Sequence, residues 1–180
     1  MNTGPREGER LALPLKVEPT SSLSLATSLY HIEKRDYPID PVAVAEAMGI
    51  GVKHVSLTPG VWGLYLATEK REYIVANSEH DPAEERFTYA HELGHVMLGK
   101  LGMKIGTPDL RARNRGREER IERRCDRFAR NLLMPEQMVK RAVARGEGVE
   151  QIASRFGVPD YAATMRLREI ARGRRKEQQQ

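Results

Sequence analysis

Apolar residues recur at helical spacing in two long segments of the chain. The first segment opens with Asp81 and Pro82, which are an N-cap residue and a proline suited to the first helical position. It predicts a helix over about residues 82–98, whose apolar stripe consists of Phe87, Ala90, Gly94, Met97 and Leu98. Inside a helix, glycine costs about 1 kcal/mol relative to alanine. We therefore expect a strand or a second helix to approach closely at Gly94.

The second segment, over about residues 118–134, has two neighbouring stripes. Its core-facing stripe consists of Ile121, Cys125, Phe128 and Leu132. The adjoining stripe, one residue round the helix, consists of Glu122, Asp126, Ala129 and Leu133. Glu122 therefore lies at the border of the buried face, where its carboxylate can turn towards the interior. Cys125 is expected to be a small buried apolar residue.

Shorter apolar runs predict the remaining elements. Three strands are expected at about residues 50–55, 62–66 and 73–77, and the last two are joined by a polar turn. Further helices are expected at about residues 23–35, after Asp40-Pro41, and in two or three pieces after Pro135. The predicted fold is α+β, with a small three-stranded antiparallel sheet packed against the two long helices and followed by a C-terminal helical hairpin.

The same pattern divides the chain into four stretches. The expected divisions are a flexible arm at residues 1–20, a core at 21–145, a helical segment at 146–172 that belongs to the same fold, and a disordered tail at 173–180. Residues 103–117 lack apolar periodicity and predict a loop between the two long helices.

Composition limits the class of protein. The 180 residues suffice for one compact domain, and one cysteine excludes an intramolecular disulfide. No apolar stretch is long enough to span a bilayer, and no apolar region of a secretory signal follows the charged start. A cytoplasmic protein without a membrane partner is expected. The net charge is +5, and arginines crowd residues 111–127. Such runs are more often solvated helix faces than nucleic-acid contacts.

The chemistry of the chain is concentrated in the string HELGH, which contains His91, Glu92 and His95. It matches the pattern H-E-x-x-H of zinc proteases. Residues four apart share one face of a helix, so the two imidazoles can hold one metal ion. Zinc lowers the pKa of a bound water to about 7. Glu92, next to the first histidine, can then act on that water as a general base.

A catalytic zinc usually has a third protein ligand. His31, His54, His80 and the downstream carboxylates are all candidates. Spacing favours Glu122 over Glu118, which lies one turn earlier, because Glu122 is flanked by the stronger apolar stripe. The pattern of residues does not decide between them.

Two strings, FTYAHELGHVML and IERRCDRFARNLLMP, resemble the ImmA/IrrE family of metallo-endopeptidases, and the resemblance covers roughly residues 25–172. It implies that the metal ligands are His91, His95 and Glu122 and that the general base is Glu92. It further implies a Zn²⁺ cofactor, with Mn²⁺ or Fe²⁺ as alternatives because two imidazoles and a carboxylate select weakly among them. The implied partner is a helix-turn-helix repressor, which is cleaved to derepress stress or mobile-element genes.

The chain departs from the family pattern at Asp126, where asparagine is common, and at Gly99, where histidine is frequent. Asp126 lies one turn after Glu122. It either accepts a hydrogen bond from a ligand imidazole or pairs with an arginine on the helix surface. No residue is assigned to stabilise the oxyanion, although Tyr89 and His80 are present.

Two alternatives to a peptidase remain. One is a DNA-associated regulator with a structural metal site, which draws on the basic runs and on Arg166 and Arg168 in the C-terminal hairpin. A structural site, however, would not need Glu92. The other alternative is a chance HELGH string on a core helix, whose histidines are satisfied by hydrogen bonds.

Overall fold

The computed structural model describes residues 39–68, 71–100 and 115–177, without the side chains of residues 100, 115–118 and 174–177. The described elements are α1 (Pro41–Ala47), β1 (Gly51–Val55), β2 (Gly63–Ala67), β3 (Glu72–Asn77), α2 (Pro82–Lys100), α3 (Arg115–Leu133), α4 (Glu136–Ala144), α5 (Val149–Phe156) and α6 (Asp160–Glu177). The predicted arm at 1–20, the helix at 23–35 and most of the loop at 103–117 lie outside the described residues.

The sheet is mixed, so the prediction of an antiparallel sheet was wrong. Its strand order is β1-β3-β2, with β3 in the centre. β2 and β3 are antiparallel, and at their connected ends the backbone N–H of Thr68 donates to the carbonyl of Arg71 at 2.8 Å. β1 pairs with the other side of β3 in parallel, with Gly51 opposite Tyr73. β1 and β2 follow each other in the chain but lie on opposite sides of β3. Alternation of apolar residues encodes the faces of a strand and not its neighbours, so the sequence did not show this arrangement.

The two long helices pack against each other with Gly94 at their contact. A Cβ atom at Gly94 would lie 2.9 Å from the Cα atom of Cys125. The expected close approach is therefore confirmed, and the neighbour is α3. Helix α2 begins as predicted, because the Asp81 carboxylate accepts hydrogen bonds from the backbone N–H groups of Ala83 and Glu84. Ala90 and Leu93 of α2 are fully buried in the core.

The three C-terminal helices pack into the same core as the sheet, through buried residues that include Val139, Ile152 and Phe156. Gly157 ends α5 in the left-handed conformation, with φ at 60°. Helix α6 continues to Glu177, past residue 172, at which the helical segment was expected to end. No described helix carries an apolar stretch that could cross a membrane.

Candidate metal centre

Helix α2 presents two histidines to one carboxylate of α3. The Nε2 atoms of His91 and His95 are 3.2 Å apart. The Oε2 atom of Glu122 lies 3.1 Å from Nε2 of His91, and its Oε1 atom lies 3.4 Å from Nε2 of His95. The four-residue spacing within α2 aligns the imidazoles, and the contact at Gly94 holds α3 close enough for Glu122 to reach them. The structure thus brings together the three residues that the sequence nominated as ligands.

These three residues fit a divalent metal ion. Ligand atoms about 2.0–2.1 Å from a tetrahedral zinc lie about 3.4 Å apart, which is close to the separations of the two imidazole nitrogens and the Glu122 oxygens. Two Nε2 atoms and a carboxylate cannot all turn lone pairs towards one another, so a proton or a cation has to lie between them. The donor set of two nitrogens and one oxygen is common for zinc.

The outer nitrogens of the two histidines have different surroundings. Nδ1 of His91 lies 2.9 Å from Oδ1 of Asp126. A carboxylate only accepts, so Nδ1 of His91 donates to Asp126. Nε2 of His91, which faces Glu122, is then the nitrogen that would exchange its proton for a metal ion. Nδ1 of His95 is buried and has no hydrogen-bond partner among the described residues. Asp126 therefore supports one of the two imidazoles.

Asp126 makes the hydrogen bond to an imidazole that the sequence left open, and the arginine that it also faces is buried rather than on the helix surface. Its Oδ2 atom lies 3.9 Å from Nη1 of Arg130, one turn further along α3. Arg130 in turn donates from Nη2 to Oε1 of Glu169 on α6, at 2.9 Å. The carboxylate thus accepts a hydrogen bond from His91 and also faces an arginine that is tied to the last helix.

The pKa values at the centre reflect these contacts. Burial lowers the pKa of His91, but the hydrogen bonds to Asp126 and Glu122 outweigh burial and raise it to about 9. The hydrogen bonds from His91 and His95 lower the pKa of Glu122 to about 2. Burial raises the pKa of Glu92, although the two imidazoles counteract it. Glu122 is therefore an anionic donor, while Glu92 is tuned towards taking up a proton.

A cleft of about 630 Å³ opens beside the histidines, and His91, Glu92 and Glu122 line it. Its far wall includes the chain just before and at the start of β2. A Cβ atom at Gly63 would lie 3.4 Å from Oε1 of Glu92 and 2.4 Å from Cγ2 of Thr88. The glycine therefore lets β2 approach α2 closely and leaves space beside the Glu92 carboxylate.

The other candidates of the sequence have different partners. Nε2 of His54 lies 3.2 Å from Glu85, away from the histidine pair of α2. His80 contacts Glu84 and stacks on Trp62. Tyr89 is buried, and its hydroxyl donates to the carbonyl of Lys53 at 3.4 Å. His31 and the side chain of Glu118 lie outside the described residues, so Glu122 is the carboxylate that the structure describes at this position.

Three features of the site were missed by sequence reasoning. One is Cys125: its Sγ atom and one nitrogen each of His91 and His95 lie within 4.8 Å of one another. Cys125 is fully buried as predicted, and burial raises the pKa of its thiol.

The second feature is the pair Trp62 and Tyr161, which line the cleft. The third is the link from Asp126 to α6. Only the cysteine had a signal in the sequence, since it lies three residues after Glu122 on the same helix.

Comparison with known proteins identifies a family and several relatives of the chain. Residues 45–168 match the peptidase family described as the IrrE N-terminal-like domain. The chain is 29% identical over 127 residues to uncharacterized immunity region protein 2 of Bacillus phage phi105, covering 71% of this chain and 78% of that protein. It is 29% identical over 100 residues to metallopeptidase ImmA of Bacillus subtilis strain 168, covering 54% of this chain and 55% of the relative.

A further relative is the radiation response metalloprotease IrrE of Deinococcus radiodurans. It is 34% identical over 102 residues, which are 53% of this chain and 30% of that protein. The chain thus spans about half or less of the length of ImmA and IrrE. Among solved structures, a Mycobacterium tuberculosis transcriptional regulator superimposes with a TM-score of 0.59 at 18% identity, covering 81% of this chain and 46% of that one. This likeness concerns the fold alone.

The family match covers more than half of the chain, and relatives named as metallopeptidases agree with it. A metallopeptidase family implies a divalent metal, and the fold brings suitable donors together. The chain therefore belongs to the ImmA/IrrE family of metallopeptidases.

Proposed function

We propose that the protein is a zinc-dependent endopeptidase in which His91, His95 and Glu122 hold the metal and Glu92 is the general base. The observation that carries this proposal is the convergence of two imidazole nitrogens and a carboxylate within 3.1–3.4 Å of one another. Glu92 lines the cleft beside them. A purely structural metal site has no use for a carboxyl group in that position.

In this mechanism the metal, when bound, supplies Lewis acidity and a water that ionises near neutral pH. Glu92 accepts the proton of the attacking water and delivers it to the leaving amine. Burial prepares it for this role, because it raises the pKa of Glu92 above that of an ordinary glutamate. Asp126 holds the ring of His91 so that Nε2 faces His95 and Glu122, the residues that would hold the metal with it.

The edge of β2 offers a place for the backbone of a substrate. The backbone N–H of Asn77 donates to the carbonyl of Trp62, so alternate residues of β2 bond to β3. The backbone groups of Gly63 and Tyr65 consequently face away from β3, at the edge of the described sheet. Gly63 lies beside the Glu92 carboxylate. An extended peptide that pairs with this edge passes next to the general base.

For the substrate we propose a helix-turn-helix repressor, whose cleavage would derepress stress or mobile-element genes. The support is the family resemblance and the names of the relatives, which mention an immunity region of a phage and a radiation response. The alternative of a DNA-binding regulator gains no support from Arg166. That side chain is buried and donates to the carbonyl of Met134 at 2.9 Å, so it is not available to a phosphate.

The test is the variant Glu92→Gln, purified with zinc and incubated with a helix-turn-helix repressor from the neighbouring reading frame. The amide keeps the size of the side chain but cannot accept the proton. We expect a normal zinc content by mass spectrometry and a fall in repressor cleavage of at least about 100-fold. Normal cleavage by this variant would refute the role of Glu92.

The ligand set is tested by a matched pair of variants, Glu122→Ala and Cys125→Ser. We expect Glu122→Ala to lose zinc during dialysis against a weak chelator. Cys125→Ser should keep it, because the thiol is buried and its raised pKa disfavours the thiolate that binds zinc. The reverse result would make Cys125 the third ligand.

A further inference from the structure

Two exposed aromatic side chains line the same cleft as the proposed catalytic groups. Trp62 is 44% exposed and Tyr161 is 48% exposed. Both line the cleft together with His91 and Glu92. The other large apolar residues that are exposed in the described part of the chain do not line it. Exposed aromatic surface is therefore concentrated where a peptide would have to bind.

Trp62 is held in place by its neighbours. Its ring stacks on the imidazole of His80, with centroids 4.4 Å apart and planes 29° apart. Nδ1 of His80 lies 3.1 Å from Oε2 of Glu84, which fixes the imidazole in turn. The carbonyl of Trp62 accepts a hydrogen bond from the backbone of Asn77. The indole is thus supported on its far face and leaves surface free towards the cleft.

Tyr161 is supported from a different part of the fold. It lies in the first turn of α6 and meets the ring of Phe87 edge to face, with centroids 5.7 Å apart. Phe87 is buried and lies one helical turn before His91 on α2. The C-terminal helix therefore supplies a side chain to the cleft, on a ring contact that is anchored to the metal-binding helix.

Apart from Glu92, the carboxylates that line the cleft have partners within the protein. Glu122 contacts both histidines, and Asp126 contacts His91 and Arg130. Glu92 is used for catalysis in the proposed mechanism, so the exposed aromatic rings are the groups best placed to recognise a side chain of the substrate. Because their exposed surface is apolar, they favour an apolar occupant.

We propose that Trp62 and Tyr161 form a specificity pocket for one large apolar side chain next to the scissile bond. The proposal rests on the peptidase function and names its substrate class, a polypeptide segment with phenylalanine, leucine, methionine or tryptophan at that position. Burial of such a side chain between aromatic surfaces is worth roughly 10- to 100-fold in kcat/KM over alanine. The effect should appear mainly in KM if the side chain contributes equally to substrate and transition-state binding.

The first experiment maps cleavage sites in a tryptic peptide library of a bacterial proteome, with the zinc-loaded protein and mass spectrometry. We expect one position beside the cleaved bond to be dominated by large apolar residues. Two peptides that differ only by phenylalanine or alanine at that position are then compared. Trp62→Ala and Tyr161→Ala should each lower kcat/KM for the phenylalanine peptide by about 10-fold or more and change it less than about 3-fold for the alanine peptide.

Two further variants separate the pocket from general damage. Tyr161→Phe keeps the ring and should retain the preference. Val143→Ala, an exposed apolar residue of α4 outside the cleft, should leave both peptides unaffected. Equal losses on the phenylalanine and alanine peptides, or a preference for a charged residue at every position, would overturn the proposed pocket while leaving the peptidase function intact.

A binding experiment tests the pocket without catalysis. Trp62 is the only tryptophan of the sequence, so its fluorescence reports directly on the cleft. Zinc-loaded Glu92→Gln is titrated with an acetylated alanine octapeptide amide that contains one phenylalanine, and with the same peptide without it. A saturable change with the first peptide alone supports the pocket, even if no peptide is cleaved by the native protein. Identical responses to both peptides overturn it.

Discussion

Two clusters of charged side chains lie along α3, and they differ in how far their side chains are exposed. At the first cluster, the side chains of Glu122 and Asp126 are 48% and 42% exposed and meet the histidines of α2. At the second, Arg130 is 8% exposed and donates from Nε and Nη2 to Glu169 of α6. Arg166 lies beside the same carboxylate, with Nη1 3.7 Å from Glu169.

This difference distinguishes a candidate binding site, the first cluster, from a structural contact between α3 and α6, the second cluster. The first cluster is open to the cleft and leaves imidazole nitrogens facing a carboxylate, so a cation can enter between them. The second cluster is closed, because its cations are matched by Glu169 and by the carbonyl of Met134. Asp126 belongs to both, since it faces His91 with one oxygen and Arg130 with the other. Charge alone therefore does not distinguish a candidate site from a structural contact; access from the cleft does.

The largest effect is expected when the closed cluster is broken. Arg130→Met removes a buried cation and leaves Glu169 with only the distant contact to Arg166. One oxygen of Glu169 already has no hydrogen-bond partner within the described residues. We expect the free energy of unfolding to fall by about 3–5 kcal/mol, measured by urea denaturation of the metal-free protein.

The control for this variant is a double replacement, Arg130→Met with Glu169→Leu. It removes both charges, so a large part of the lost stability should return. The zinc content of the folded fraction of Arg130→Met should stay at one equivalent. A loss below about 1 kcal/mol would mean that the pair behaves like a surface ion pair, and the proposed distinction between the clusters would fail.

An intermediate effect is expected at the residue that joins the clusters. Asp126→Ala removes the acceptor of the Nδ1–H of His91. We expect zinc affinity to fall by about 10- to 100-fold, measured by competition with a chromophoric chelator. The stability of the metal-free protein should change by less than about 1 kcal/mol, because Asp126 is close to half exposed.

The variant Asp126→Asn provides the matched comparison. Its amide oxygen can still accept from Nδ1, so most of the affinity should remain. An affinity as low as that of Asp126→Ala would show that the negative charge, and not the hydrogen bond, supports the metal centre.

The sequence predicted the long helices well, because their signals are local. The helix expected at residues 82–98 is observed at Pro82–Lys100, and the one at 118–134 is observed at Arg115–Leu133. Caps and apolar stripes act over a few turns and can be read directly. The order of the strands depends on pairing between distant segments, which a period-two pattern does not encode. The expected antiparallel sheet was accordingly wrong.

The candidate site was also predicted in part, and the predicted part is again the local one. The spacing of His91 and His95 is a property of one helix, so the sequence could place them on one face. Contact between the histidines and Glu122 requires α2 and α3 to pack closely at Gly94. The glycine within the predicted helix was the feature of the sequence that indicated this packing. Trp62 and Tyr161 are 99 positions apart in the sequence and meet the site only through the tertiary fold. No local pattern could have nominated them.

The smallest effect is expected at an arginine that belongs to neither cluster. Arg123 lies on the outer side of α3, where its Nη1 is 3.1 Å from Glu119 one turn earlier. Both side chains are about two-thirds exposed, at 64% and 66%. Arg123→Ala should change the free energy of unfolding by less than about 0.5 kcal/mol and leave zinc affinity unaltered. Arg123 and Arg130 are both arginines of α3, so comparing their two variants isolates the effect of burial on the free energy of unfolding. A loss above about 2 kcal/mol in urea denaturation would show that arginines stabilise α3 wherever they lie.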